Sequence, residues 1–212
     1  MEDKTDLLIQ IVPPPPHPHI STTESEDVVT WPKDLIHLYS VYGQGSFDIF
    51  LSVLGRTDEN PNLSSTVETH RFLEILEQVA SYDDSVIPLL KAIRSVEAWA
   101  AWGSTDNGDC CLWLAPTGDL PERVIYVDSK CTEWSFHEMS VTSFLYGVLT
   151  RTIDCPMIFF DEFFPTRYTD MQGVSRILGR TMSTTAHFFL TPEDSVKIYE
   201  NWDDIGPEWR SV

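Results

Sequence analysis

The stretch Trp99–Leu114, Trp-Ala-Ala-Trp-Gly-Ser-Thr-Asp-Asn-Gly-Asp-Cys-Cys-Leu-Trp-Leu, constrains the fold more than any other part of the chain. Asn107-Gly108 sits between two apolar runs, and this pair accepts positive φ at the least cost, so it predicts a tight reversal with a strand on either side. Asp106 and Asp109 flank the reversal, where their side chains can accept backbone N–H groups. Beyond it, Cys110, Leu112 and Leu114 alternate with Cys111, Trp113 and Ala115, so a strand here is apolar on both faces. One face is core. The other is either covered by a helix or left as an apolar surface for a partner, and periodicity does not choose between the two.

The flanking segments supply helices. After Pro32, Leu35, Leu38, Tyr39 and Tyr42 recur at helical spacing up to Gly43. Gly43-Gln44-Gly45 follows a helix rather than a strand and lacks a third glycine, so it is no dinucleotide loop. Phe47–Leu54 reads as one strand. Ser65-Thr66-Val67-Glu68 has the form of a capping box ahead of Phe72, Ile75, Leu76, Val79 and Ala80. Residues 84–97 are open between a short helix after Pro88 and strand or loop. Val124–Val127 and Glu133–Phe136 read as strands. Ser140 caps a helix whose apolar face is Val141, Phe144, Leu145, Val148 and Leu149. Helix, then closely spaced strands, then helix predicts an α+β domain with a mainly antiparallel sheet flanked by amphipathic helices.

Trp102-Gly103-Ser104-Thr105-Asp106-Asn107-Gly108-Asp109, followed by Leu112-Trp113-Leu114, resembles the signature of the SUKH superfamily. That superfamily contains the yeast cell-wall-assembly regulator and many bacterial immunity proteins against polymorphic toxins. Trp31-Pro32-Lys33-Asp34-Leu35 through Gly45 looks like its opening helix, and Trp134-Ser135-Phe136 through Leu145 like its late helix. The resemblance spans Trp31–Leu149. It implies a SUKH-like fold with Trp102, Gly103, Asp106, Asn107, Gly108, Asp109 and Trp113 as its structural motif, and a cytoplasmic immunity protein that occludes a cognate toxin.

Three regions follow: a flexible, Pro-rich acidic arm over 1–29, the SUKH-like domain over 30–152, and an aromatic, acidic extension over 153–212 that packs on the domain. His17 and His19 in the arm are expected to be solvated, and His37 and His70 solvated or locally bonded.

The chain has 33 acids against 14 bases and a net charge of −19, which repels nucleic acid and anionic lipid and favours a basic protein partner. Residues 1–30 carry six acids and one base and residues 193–212 six acids and two bases, leaving 21 acids and 11 bases in the body. The acidity therefore belongs to the folded surface as well as to the ends. Asp161 and Glu162 among Phe159–Phe164, and Asp203 and Asp204 beside Tyr199 and Trp202, are the expected partner-binding residues, with aromatics to anchor and charges to steer. The aromatics equally serve to dock these segments on the domain.

No catalytic pattern stands out. There is no nucleophile elbow, P-loop, His-Glu-x-x-His or Cys-x-x-Cys, and the Asp106–Asp109 turn lacks the spaced oxygen ligands of a calcium loop. Neither a cofactor nor a metal is expected. Cys110, Cys111, Cys131 and Cys155 sit in no ligand spacing, and without a secretory signal they predict buried thiols in a reducing cytosol. No run approaches ~18 consecutive apolar residues, so no membrane span is expected. Two alternatives stay open: a regulatory or scaffold module acting through the Pro-rich arm, and a hydrolase built on Cys111 and His137. Oligomeric state is not legible.

Overall fold

A computed structural model describes residues 2–21, 29–155, 158, 171–182 and 187–201. Its centre is a seven-stranded sheet in which every pairing is antiparallel, with spatial order β6-β5-β4-β3-β2-β1-β7. The strands are β1 Gly45–Phe47, β2 Leu51–Val53, β3 Trp99–Thr105, β4 Cys110–Leu114, β5 Arg123–Val127, β6 Trp134–His137 and β7 Phe189–Leu190. Seven described helices surround it: α1 Thr5–Ile11, α2 Lys33–Tyr42, α3 Ser65–Ala80, α4 Ile87–Arg94, α5 Val141–Leu149, α6 Met171–Leu178 and α7 Pro192–Glu200. The α+β class expected from the sequence is the class observed.

The choice left open at β4 is decided by two apolar layers. Cys111 and Trp113 face a core shared with Leu8 of α1, Leu35 and Leu38 of α2, and Phe144 and Leu145 of α5. Cys110, Leu112 and Leu114 face a second core made with Phe72 and Leu76 of α3 and Leu89 and Ile93 of α4. Helices cover both faces, so all five residues of β4 are buried and no apolar face of this strand is left for a partner.

The pairing of β3 with β4 slips once. Ala101 opposes Leu112 and Gly103 opposes Cys111, which leaves Trp102 as the extra residue of a bulge. A Cβ on Gly103 would lie 2.7 Å from the Ser52 carbonyl oxygen, so the close approach of β2 to the bulge requires glycine. Ala101 turns its backbone groups toward α3: its N–H donates to Thr69 Oγ1 at 2.9 Å, and its carbonyl accepts from Ser65 Oγ. Ser65 is thus committed to the sheet. The helix cap is Ser64, one residue earlier than the expected capping box, and its side chain accepts from the Val67 N–H.

Two further expectations are corrected, and the open reading of residues 84–97 resolves to its helical alternative. Phe47–Leu54 is a hairpin rather than one strand, because Asp48 and Ile49 at φ +53° and +63° reverse the chain between β1 and β2. Residues 84–94 are a short 3₁₀ turn followed by α4. The arm expected to be free over 1–29 is folded in its described part. Leu8 and Val12 are fully buried, Lys4 N–H donates to Thr142 Oγ1 at 2.9 Å, and Gln44 N–H donates to the His19 carbonyl at 2.9 Å. Its apolar residues fit a gap between α2 and α5 that only the folded chain creates.

His187 fastens β7 to the domain. Its Nδ1 meets Asp48 Oδ2, its Nε2 donates to the Leu149 carbonyl at 2.9 Å, and Asp48 Oδ1 accepts from Phe188 N–H at 3.0 Å. Both ring nitrogens face oxygen acceptors, which suits the imidazolium. Burial of the ring opposes its charge, but contact with the Asp48 carboxylate outweighs this and holds His187 above its usual 6.5. Burial raises Asp48 as well, with His187 pulling the other way. In both groups the folded state keeps its proton more tightly than the unfolded chain. The His187 contribution is therefore fully present below pH 6.5 and lost as pH rises through its raised value, while that of Asp48 is fully present only below pH 3.8 and lost as pH rises through its own raised value. Melting temperature is expected to fall from about pH 6 to pH 9, and His187→Gln is expected to flatten that dependence.

Candidate functional site

The sequence motif opens onto a groove at one end of the sheet. Thr105 N–H donates to the Asp109 carbonyl at 3.0 Å and Gly108 N–H to the Thr105 carbonyl at 2.9 Å, with Gly108 at φ +82°. Of the Asn-Gly pair only Gly108 takes the left-handed conformation. The reversal is thus a three-residue loop closed by glycine rather than a two-residue turn. Asp106 N–H donates to the Phe50 carbonyl at 2.9 Å, tying this loop to the neighbouring hairpin.

Asp109 has a different part from the one expected. Its Oδ2 accepts from Thr105 Oγ1 at 2.8 Å and from the Tyr126 hydroxyl, and its Oδ1 accepts from Ser129 N–H at 3.0 Å. It bonds Thr105 within its own turn and also joins that turn to β5 and to the β5–β6 connection. Asp128 closes that second turn, accepting from the N–H groups of Thr132 at 2.6 Å and Glu133 at 2.8 Å. Both carboxylates carry their charge to one end of the sheet while serving as struts.

Across from these turns runs α3. Glu68, Arg71, Phe72 and Ile75 face Gly108, Asp109, Cys110, Asp128, Ser129 and Cys131 over a groove of about 300 Å³. Phe72 and Ile75, with Leu54, form its apolar wall. The Glu68 side chain is 22% exposed, and its nearest cation is Arg71 Nη1 at 3.8 Å. Burial raises the Glu68 carboxyl pKa and the Arg71 charge partly offsets this. Burial, with nearby carboxylates and thiols, pushes the Cys110 thiol well above its usual range, which keeps it protonated.

The other expected site residues are dispersed. Trp102 and Trp113 are in the core, the first fully buried and the second donating Nε1–H to Glu122 Oε2 at 3.0 Å. Tyr199 is 82% exposed on the outer face of α7, beside the exposed Val196. Asp161, Glu162, Trp202, Asp203 and Asp204 lie outside the described residues. His37 bonds Asp3 Oδ2 at 2.7 Å and His19 meets Glu193, so neither imidazole is simply solvated.

Cys111 and His137, the pair the hydrolase alternative draws on, are not hydrogen-bonded to each other. His137 Nε2 contacts Ser135 Oγ at 2.9 Å, its ring packs on Phe144 at 4.9 Å, and burial raises the Cys111 thiol well above its usual range. Among the described residues no group of three or more His, Cys, Asp or Glu side chains could hold a metal ion. No described helix is long and apolar enough to cross a membrane.

Sequence reasoning passed over Glu68 and Arg71. Their spacing of three marks them as neighbours on one helix face. Nothing local signals that this face meets the Asp106–Asp109 turn, because their partner segments lie some forty and sixty residues further on. Compared with family models, with curated proteins and with solved structures, the chain matches none.

Proposed function

We propose that this protein is an immunity-type binding protein that docks on a basic, nucleic-acid-targeting toxin and occludes it through negative surface, making and breaking no bond. The resemblance of Trp102–Leu114 to the SUKH signature motivates the reading. The observation that carries it is where the charge lies. Residues 30–152 hold 17 acids and eight bases, and only Asp34, Asp48 and Asp109 among those acids are buried. Fourteen carboxylates therefore reach the surface of the folded body, enough to steer a cationic groove toward it. Asp109 of the motif and Asp128 across the groove act as struts and acceptors, a division of labour suited to a rigid binding face.

Co-expression with toxin domains encoded beside its gene tests the reading. The expected result is survival of the cells, a stable complex, and an association rate that falls as salt screens charges beyond a Debye length of ~8 Å. Cell death in every pairing overturns it. So does turnover of a nucleic-acid, ester or peptide substrate by the purified chain.

A further inference from the structure

The groove beside α3 has a specific vacancy in its hydrogen bonding. Asp109 and Asp128 are engaged by hydroxyl and backbone donors, whereas Glu68 meets only Arg71 at 3.8 Å, beyond hydrogen-bonding distance. At 22% exposure this carboxylate has given up most of its water without gaining a hydrogen bond in exchange. Apolar wall lies directly beside it in Phe72 and Ile75. About 300 Å³ is at the small end for a ligand pocket, which suits one long side chain better than a cofactor. The lining holds three carboxylates and one cation, so its charge complements a positive guest.

We infer that this groove is a binding site for an arginine side chain presented by a protein partner, with the guanidinium on Glu68 and the methylene stem along Phe72 and Ile75. The inference rests on the reading of the chain as a binder of a basic protein. Arginine suits the site better than lysine because its guanidinium is more weakly hydrated and offers a planar fork of donors to carboxylate oxygens. Asp109 and Asp128 add charge at the far wall. Arg71 is the competitor: it sits 60% exposed on the neighbouring turn of α3 and is displaced toward solvent when the guest enters.

The probe is N-acetyl-arginine amide, titrated into the full chain and followed by amide NMR, with N-acetyl-citrulline amide as the neutral isostere. Saturable shifts are expected at Gly108, Ser129 and the α3 residues around Glu68, and none with citrulline. Glu68→Gln is expected to weaken binding about tenfold, as loss of one charge-assisted hydrogen bond does, and Arg71→Gln to strengthen it. Arg71 is exposed and Glu68 mostly buried, each →Gln change keeps the methylene stem, and an unchanged melting temperature confirms that each variant folds. Shifts spread over all acidic surfaces, equal response to citrulline, or indifference to Glu68→Gln overturns the site. A toxin bound with equal affinity by Glu68→Gln overturns the groove alone and leaves the broader reading standing. Arginine bound in the groove with no toxin neutralised does the reverse.

Discussion

A chain that begins at Pro13 is expected to lose its cooperative fold. The leader contributes Leu8 and Val12, both fully buried, with Ile9 and Ile11 packed partly against the same core. A fully buried aliphatic side chain contributes about 1.5–3 kcal/mol, so these four together come to roughly 5–8 kcal/mol. That is comparable with the whole stability of an ordinary domain, about 5–15 kcal/mol. Polar groups are orphaned as well. The Tyr42 hydroxyl donates to the Val12 carbonyl at 2.6 Å, and Ser140 Oγ donates to the Glu2 carbonyl at 2.6 Å. Burial leaves Tyr42 no water to turn to when its acceptor goes, at a further ~1–3 kcal/mol. Leu8→Ala, which keeps the chain length, is expected to cost about 2–5 kcal/mol in urea denaturation. A shortened chain with the melting temperature of the intact one would restore the picture of a free arm.

Trp102→Ala is expected to cost about 3–5 kcal/mol and to yield poorly soluble protein. The indole is fully buried at the bulge of β3 and lies edge-on to Phe144 with centroids 6.3 Å apart. Its Nε1–H is buried with no hydrogen-bond partner. Trp102→Phe therefore loses ring volume but no hydrogen bond, and is expected to cost about half as much as the alanine variant. A residue kept for partner recognition gives the opposite pattern: both variants melt like the native protein and lose binding. Denaturation beside a binding assay separates the two cases.

The elements read most easily were those whose signal is local. α2 and α5 carry apolar stripes with their own start and stop residues, and Ser140 accepts from Ser143 N–H as a cap should. The reversal at 106–108 was legible because glycine is needed there for backbone reasons that no distant contact changes. Leader, groove and the Asp48–His187 latch were not legible. Pro13–Pro16 and the polar run after them make the first 29 residues read as unfolded, yet Leu8 and Val12 lie in the core with Ile9 and Ile11 packed against it. The leader's six-residue apolar stretch is too short to be stable alone. His187 stands 139 residues from Asp48, and nothing in either neighbourhood announces the other.

By itself the sequence determined the class of fold, the two-sided apolar character of β4 and the acidity of the folded body, since these follow from periodicity and composition. Only the tertiary structure decided that helices occupy both sides of the sheet, that Asp109 is a strut between two turns, and that of the three carboxylates lining the groove Glu68 is the one without a hydrogen-bond donor. Each of these depends on which segments meet across dozens of residues. Such meetings are set by the filling of shared volume in the core, a property of the whole chain that no local pattern encodes.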